Sequence, residues 1–431
     1  GHVFLPRPKL IAATAQLLGC DDSLPEKALD ALIQKGAVVC EQVANVEACY
    51  LRRLWEAEVS ACARMNSLLA VDADESRQAD RTLAEIEAEQ GITYAPQQRE
   101  AVRLAATNGV LILTGGPGTG ITTTVRGIVA LFRKMGLDIV LAAPTGRAAK
   151  RMSELTGMDA QTVHRMLGMN WNEAAHQVTF LKNEKEPLEA DAVIVDEMSM
   201  VDLPLFSALL RALKPGTRLV LVGDADQLPS VGAGNVLSDI LDSDAVPSVR
   251  LTDIFRQSEE SLIVLNAHRI NHGEAPILNR RDSDFFFERR PFAENAAEGI
   301  VGLCAKRLPA FLHTDFPARD IQVLAPMKKG ACGVAAINKL LQNALNAPAQ
   351  YKKEILFGDT IFRVGDKVMH IKNNYSLEWR CESTGQEGMG VFNGLLYPLG
   401  FALIQYNIRK NGVVLSAIFQ RLGLLVPMVV A

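Results

Sequence analysis

Four short apolar runs limit this chain's fold more than any other feature. They read "GVLILTGG" from Gly109, "DIVLAAPTG" from Asp138, "DAVIVDEMS" from Asp191 and "TRLVLVGDADQ" from Thr217. Each is short, rich in β-branched residues or leucine, and ends in a glycine-rich or polar loop. An unbroken apolar run, unlike an alternating one, needs cover on both faces. The pattern therefore predicts a parallel sheet sandwiched between helices, an α/β fold. Ligands of such sheets bind at the carboxyl ends of the strands, where all four loops fall.

The first of these loops reads "GGPGTGITTT", Gly115 to Thr124. It follows G-x-x-x-x-G-K-[ST], the P-loop pattern, except that Ile121 stands where the pattern has lysine. Gly115 and Gly120 would let successive N–H groups turn inward around a phosphate, with Gly116, Pro117, Gly118 and Thr119 between them. "TTTVRGIVALFRKMG" then predicts a helix whose N-terminus adds its dipole, starting with Thr122 and Thr123 and ending at Gly136. Thr122 falls where a hydroxyl ligates Mg2+. About 75 residues on, "VIVDEMS" ends a strand in Asp196 and Glu197. Asp196 is expected to hold Mg2+, and Glu197 to orient or deprotonate an attacking water. Gln227, after the next strand, is an amide able to sense a terminal phosphate, or a turn residue beside Pro229.

The rest of the chain reads less sharply. Its 431 residues suit about two to four domains. The net charge of −4 advertises no nucleic-acid-binding tail, so any such site must be local. Seven scattered cysteines with no close-spaced pair suggest reduced thiols in a cytosol. The opening "GHVFLPRPKL" is no signal peptide and starts in mid-pattern without methionine, as though cut from a longer chain. Residues 1–90 read as helical, with Gly19 and Gly36 as stops, and fit either a small nucleic-acid module or packed structural helices. "IQVLAPMKKG", from Ile321, restarts the strand pattern and suggests a second lobe of similar kind.

"YAPQQREAV", "GGPGTGITTT", "APTGRAAKRM", "TVHRMLG", "VIVDEMSMVD", "VGDADQLPSVGAGNVL", "LTDIFRQ", "VLAPMKKGACGVAAINKLLQ", "FRVGDKVMHIKNNY" and "GVFNG" occur in this order. In that order they resemble the RecD-like superfamily 1 DNA helicases, over roughly residues 1–394. The resemblance implies a P-loop NTPase with RecA-like parallel-sheet lobes that close on ATP and Mg2+ and move 5′ to 3′ along single-stranded DNA. The domains would be a small helical N-terminal region (1–90), a first lobe (91–248), a partial second lobe (249–394) and an atypical apolar tail (395–431). By the same resemblance Gln98 reads the adenine edge and Gln227 couples the site to movement. Arg256 would reach the γ-phosphate from the second lobe, although it could equally pair with Asp253 or Glu259. DNA contacts would come from Pro144, Thr145, Gly146, Arg147 and Lys150, with Arg151 adding charge, and from His164, Lys372, Asn373 and Asn374, with Tyr375 beside them. Such a groove grips the backbone without reading sequence. Partners implied are single-stranded DNA and recombination or repair proteins, for a cytoplasmic monomer with no membrane contact.

Two departures from the family pattern bear on activity. Isoleucine at 121 offers no donor to the β- and γ-phosphates, where charge-assisted hydrogen bonds are worth about 1.5–3 kcal/mol each. Hydrolysis is expected to suffer more than binding, because the missing charge matters most in the transition state. The family also continues after "VFNG" into a small β-barrel insertion and the remainder of the second lobe. Here residues 395–431 contain no acidic and only three basic residues and no family motif. The tail reads as out-of-frame or degraded sequence, leaving the second lobe incomplete. Three readings stand: an ATP-driven DNA helicase, a non-hydrolysing nucleotide- and DNA-binding remnant of one, and a P-loop ATPase working on protein or RNA.

Overall fold

The computed structural model describes residues 1–70, 76–172, 177–253, 261–278, 280, 282–370, 374–380, 387–391, 396–398 and 425–427. The chain divides into two compact units: Gly1–Phe286 without Thr145–Arg147, and those three residues with Phe287–Ala431.

The N-terminal region is not purely helical. Strand β1 (Phe4–Pro6), helices α1 (Arg7–Leu18) and α2 (Ser23–Gln34), and strands β2 (Val38–Val43) and β3 (Val46–Leu51) open the chain. The strands form an antiparallel sheet in the order β1–β3–β2. Gly19 and Gly36 take positive φ at the ends of the two helices, as expected. Ala44 and Asn45, both at positive φ, make the tight turn between β2 and β3. That hairpin brings Cys40 and Cys49 into register with their sulfurs 2.9 Å apart, a pairing the scattered cysteine positions gave no sign of.

Helices α3 (Arg52–Leu69), α4 (Ser76–Gln90) and α5 (Pro96–Thr107) lead into the main sheet. Strand β4 (Val110–Gly115), helix α6 (Ile121–Lys134), strand β5 (Ile139–Ala143) and helix α7 (Gly146–Thr156) come next. Strand β6 (Ala160–Thr162), helix α8 (Val163–Met166) and the hairpin strands β7 (Met169–Asn172) and β8 (Gln177–Phe180) follow. Strand β9 (Ala192–Val195), helix α9 (Leu203–Ala212), strand β10 (Arg218–Gly223), helix α10 (Val236–Asp242), strand β11 (Ser248–Leu251) and helix α11 (Leu262–Asn271) complete the unit. Six strands pair in parallel in the order β11–β4–β10–β9–β5–β6. The four apolar runs are its central strands.

Alternate residues along each strand feed two separate cores. Val110, Ile112, Val193, Val195, Leu219 and Leu221 face one way, against Ala61, Met65 and Leu68 of α3 and Phe206, Leu209 and Leu210 of α9. Leu111, Leu113, Ile194, Val220 and Val222 face the other, against α4 (Leu83, Ile86), α5 (Val102, Ala105) and α6 (Ile128, Leu131, Phe132). The result is a three-layer sandwich, as both-face burial requires. Helices α3 and α4 are therefore packed structural helices. Arg64 of α3 fixes the arrangement by donating to the carbonyls of Leu213 (2.9 Å) and Leu210 (3.4 Å) at the end of α9.

Strand β11 hydrogen-bonds to β4, and α11 returns to the same sheet edge, so the first unit runs on to Phe286 rather than stopping at 248. In the second unit the run from Ile321 contributes a single bridging residue, Val323, and no longer strand. The expected parallel restart is absent among the described residues, whose strands here pair antiparallel. These are β12 (Glu354–Phe357) with β13 (Thr360–Arg363), β14 (Lys367–His370) with 396–398, and β15 (Asn374–Arg380) with β16 (Glu387–Val391). Cys304, Ile321, Ile337 and Leu341 form a small core elsewhere in this unit. The buried Asp366 carboxylate accepts from Arg363 N (2.7 Å), Gln342 (2.6 Å) and Asn346 (2.7 Å), which ties β13 to the helix Val334–Leu345. No helix among the described residues is long and apolar enough to cross a membrane.

Candidate nucleotide site

The loop after β4 has a backbone suited to wrapping an anion. Gly118 (φ 81°) and Gly120 (φ 82°) lie in the left-handed region, and Gly120 begins α6. A Cβ on Gly115 would fall 2.7 Å from Thr119 Oγ1 and 2.9 Å from the Leu251 carbonyl, so the strand end admits only glycine. Thr119 Oγ1 donates to the Gly116 carbonyl (2.8 Å), and Thr124 Oγ1 to that of Gly120 (3.0 Å), holding the loop from both sides. Gly136 (φ 74°) ends α6 as expected.

A cavity of about 1120 Å³ lies over this loop. Gly115, Gly116, Pro117, Gly118, Gly120 and Ile121 line it, with Thr122 and Thr123. From neighbouring strand ends come Asp196 and Glu197 after β9, and Asp224, Asp226 and Gln227 after β10. The turn and the acidic pair thus converge on one cavity, because β10 alone separates β4 from β9 in the sheet. Asp196 Oδ1 accepts from the Glu197 amide (2.8 Å), and Glu197 takes the left-handed conformation (φ 56°) that starts a tight turn. Burial pushes both carboxyls above the usual carboxylate range; Asp196 adds to the shift on Glu197, and Arg151 opposes both. Gln227 reaches Asp224 Oδ2 at 3.4 Å.

Gln98 and the described DNA-contact candidates, Arg151 apart, do not line the cavity. Gln98 is buried and not among the lining residues: its Oε1 accepts from Ala95 N (3.0 Å), and its Nε2 donates to the Gly120 carbonyl (3.3 Å). It joins the start of α5 to the loop rather than presenting its amide to the cavity. Pro144 and Thr145 follow β5, and Gly146, exposed Arg147 and exposed Lys150 lie in the first turns of α7, where Lys150 pairs with Glu154 (4.0 Å). His164 is half-buried, its ring 6.2 Å from that of Phe180, and burial lowers its pKa; it is neutral at neutral pH and offers no charge to phosphate. Asn374 begins β15. Arg256, Lys372 and Asn373 lie outside the described residues.

Sequence reasoning gave no nucleotide role to several lining residues, Asp224 and Asp226 among them. Arg151 and Leu155 reach the cavity from α7, while His268 and Asn271 reach it from α11. His268 Nε2 lies 3.3 Å from the Pro117 carbonyl. The i, i+4 spacing of Arg151 and Leu155 was a usable signal. The approach of α11 was not, since it depends on tertiary packing.

Oxygen donors on Thr122, Asp196 and Glu197 facing one cavity suit Mg2+, which takes one or two carboxylates and completes its shell with phosphates and water. A glycine loop at a helix N-terminus, opposite an acidic strand end on a parallel sheet, defines a P-loop nucleotide-binding protein of the α/β class. An AAA domain family matches residues 98–233, and the ATP-dependent RecD-like DNA helicase SH3 domain family matches residues 337–396. The chain is 32% identical over 405 residues to the ATP-dependent RecD2 DNA helicase of Deinococcus radiodurans, covering 92% of this chain and 52% of that protein. It is 35% identical over 324 residues to the RecBCD enzyme subunit RecD of Mycolicibacterium smegmatis, covering 67% of this chain and 56% of that protein. The chain is thus similar to RecD-like helicases over most of its length. It spans about half the length of these curated relatives. The SH3 match also corrects one expectation: the small β-rich module precedes and includes "VFNG" rather than following it, and β12 to β16 fall within it.

Proposed function

We propose that this chain binds ATP with Mg2+ in the cavity over the Gly115–Thr123 loop and acts on single-stranded DNA as part of an ATP-driven helicase. The observation that carries this reading is the convergence of the loop with Asp196 and Glu197 on one cavity. Loop amides and the start of α6 would hold the phosphates, and Thr122 and Asp196 the metal, which when bound supplies charge to the β- and γ-oxygens. Glu197 would take a proton from the attacking water; its raised pKa makes it a better acceptor than an exposed carboxylate. Gln227 would register the terminal phosphate, and Arg256 would complete the site. Pro144, Thr145, Gly146, Arg147 and Lys150 would meet the DNA backbone, with Lys372, Asn373 and Asn374. Movement 5′ to 3′, a part in recombination or repair, a cytoplasmic setting and a monomeric state rest on the family resemblance.

Ile121 favours a second reading, a nucleotide- and DNA-binding protein with little hydrolysis. ATPase measured with and without oligo-dT, in the natural chain and in Ile121→Lys, separates the two. Stimulated turnover that appears only in the variant supports the second. Turnover in neither, with no nucleotide bound, would refute both.

A further inference from the structure

The P-loop pattern sets a lysine at the phosphates, and in this chain Ile121 stands in its place. The cavity is strongly acidic: Asp196, Glu197, Asp224 and Asp226 all line it. Such a site repels a triphosphate unless positive charge enters with the ligand or stands in the wall. Among the described lining residues, Arg151 is the sole lysine or arginine. The other basic side chain, His268, is turned to the Pro117 carbonyl at 3.3 Å.

Position and freedom both suit Arg151 for the task. Helix α7 follows β5, and β5 pairs with β9 so that Ala142 lies beside Val195, one residue before Asp196. Arg151 and Leu155, one turn apart, form the face of α7 that lines the cavity. Its neighbour Lys150 points elsewhere and pairs with Glu154. The Arg151 guanidinium makes no hydrogen bond or ion pair among the described residues, yet it lies close enough to Asp196 and Glu197 to act on both electrostatically. It is exposed, and its forked donors match phosphate oxygens. Ile121 meanwhile packs against the apolar core under α6.

We propose that Arg151, reaching across the cavity from α7, binds the nucleotide phosphates in place of the lysine that Ile121 replaces. This inference rests on the nucleotide-binding reading above. It takes Arg151 out of the DNA-contacting group in which the sequence placed it.

The test is a titration of the full chain with a fluorescent ATP analogue and Mg2+, beside anisotropy of a labelled oligo-dT. Five proteins are compared: the natural chain, Arg151→Ala, Arg151→Lys, Ile121→Lys, and Ile121→Lys combined with Arg151→Ala. Arg151→Ala is expected to weaken the analogue about tenfold or more in the natural chain, the loss of one charge-assisted contact. In the Ile121→Lys background, where lysine takes over, the same change should cost less than about threefold. Arg151→Lys should keep most of the affinity, and oligo-dT binding should not move. No loss in Arg151→Ala, an equal loss in both backgrounds, or a loss of oligo-dT affinity alone would overturn the proposal. If Ile121→Lys itself binds no analogue, the nucleotide-binding reading falls as well. If it binds tightly while Arg151→Ala changes nothing, only the proposal falls.

Discussion

Asp196 shows how a single side chain couples this site to stability. Its carboxyl is pulled from water at the end of β9, so it keeps its proton more tightly in the native state than in the unfolded one. The native state is therefore favoured at low pH, and that advantage drains away as pH climbs from the ordinary carboxylate range through the raised value. Without Mg2+, Asp196→Asn should melt at a higher temperature than the natural chain at neutral pH. The gap should close in acid, where the aspartate is already neutral. Equal melting at neutral pH would mean that the carboxylate carries no such burden. Gly115 supports a second prediction. A methyl there would meet the Leu251 carbonyl and Thr119, so Gly115→Ala should destabilise by about 1–3 kcal/mol in urea titration. A loss below a few tenths would mean that β4 and β11 can part without cost. These positions could be found from sequence because the P-loop pattern names them. For Arg151 the spacing gives only the helix face it shares with Leu155; that this face turns to the cavity is a matter of packing.

Among the elements, the central strands were legible and the margins were not. β4, β5, β9 and β10 announce themselves as unbroken apolar runs, because burial on both faces leaves no polar alternation to confuse them. β6 and β11 sit at the sheet edges; they are short and carry Gln161, Ser248 and Arg250, so their composition resembles a loop's. β2 and β3 fall in the region read as helical, and the Ala44-Asn45 turn between them has no glycine to mark a hairpin. Helices α3 and α4 were seen as helices, but periodicity shows that a face is buried, not what buries it. Leu83 of α4 is 1% exposed and belongs to the same core as β4. Leu83→Ala should therefore cost about 2–5 kcal/mol in the transition that unfolds the main sheet. If α4 belonged to an independent module, hydrogen exchange in β4 and β10 would not change.

Taken whole, the chain places its parallel sheet and the cavity over it in the first unit. The cavity over the glycine loop is built from residues between Gly115 and Asn271, all inside the first unit. A ligand bound there stabilises what it touches, by about 2.7 kcal/mol at a hundredfold excess over Kd. Added MgATP should raise hydrogen-exchange protection in β4, α6 and β9 and leave β12 and β13 unchanged. Equal protection of the hairpin would show that the two units open together. The later strands were expected as a second copy of the first sheet, since "IQVLAPMKKG" has the same apolar run. A run of that kind becomes a strand only where a partner strand runs alongside it, and at Val323 the described residues supply a single bridge.

Helices α3 and α4 grip opposite faces of the sheet from sequence that precedes every one of its strands. A ribosome therefore releases both halves of this clamp before there is anything to hold. A fragment trimmed to the nucleotide motifs alone, beginning near residue 98, would emerge with a bare greasy stripe on either side. Engineering a minimal motor from this scaffold means starting no later than Arg52.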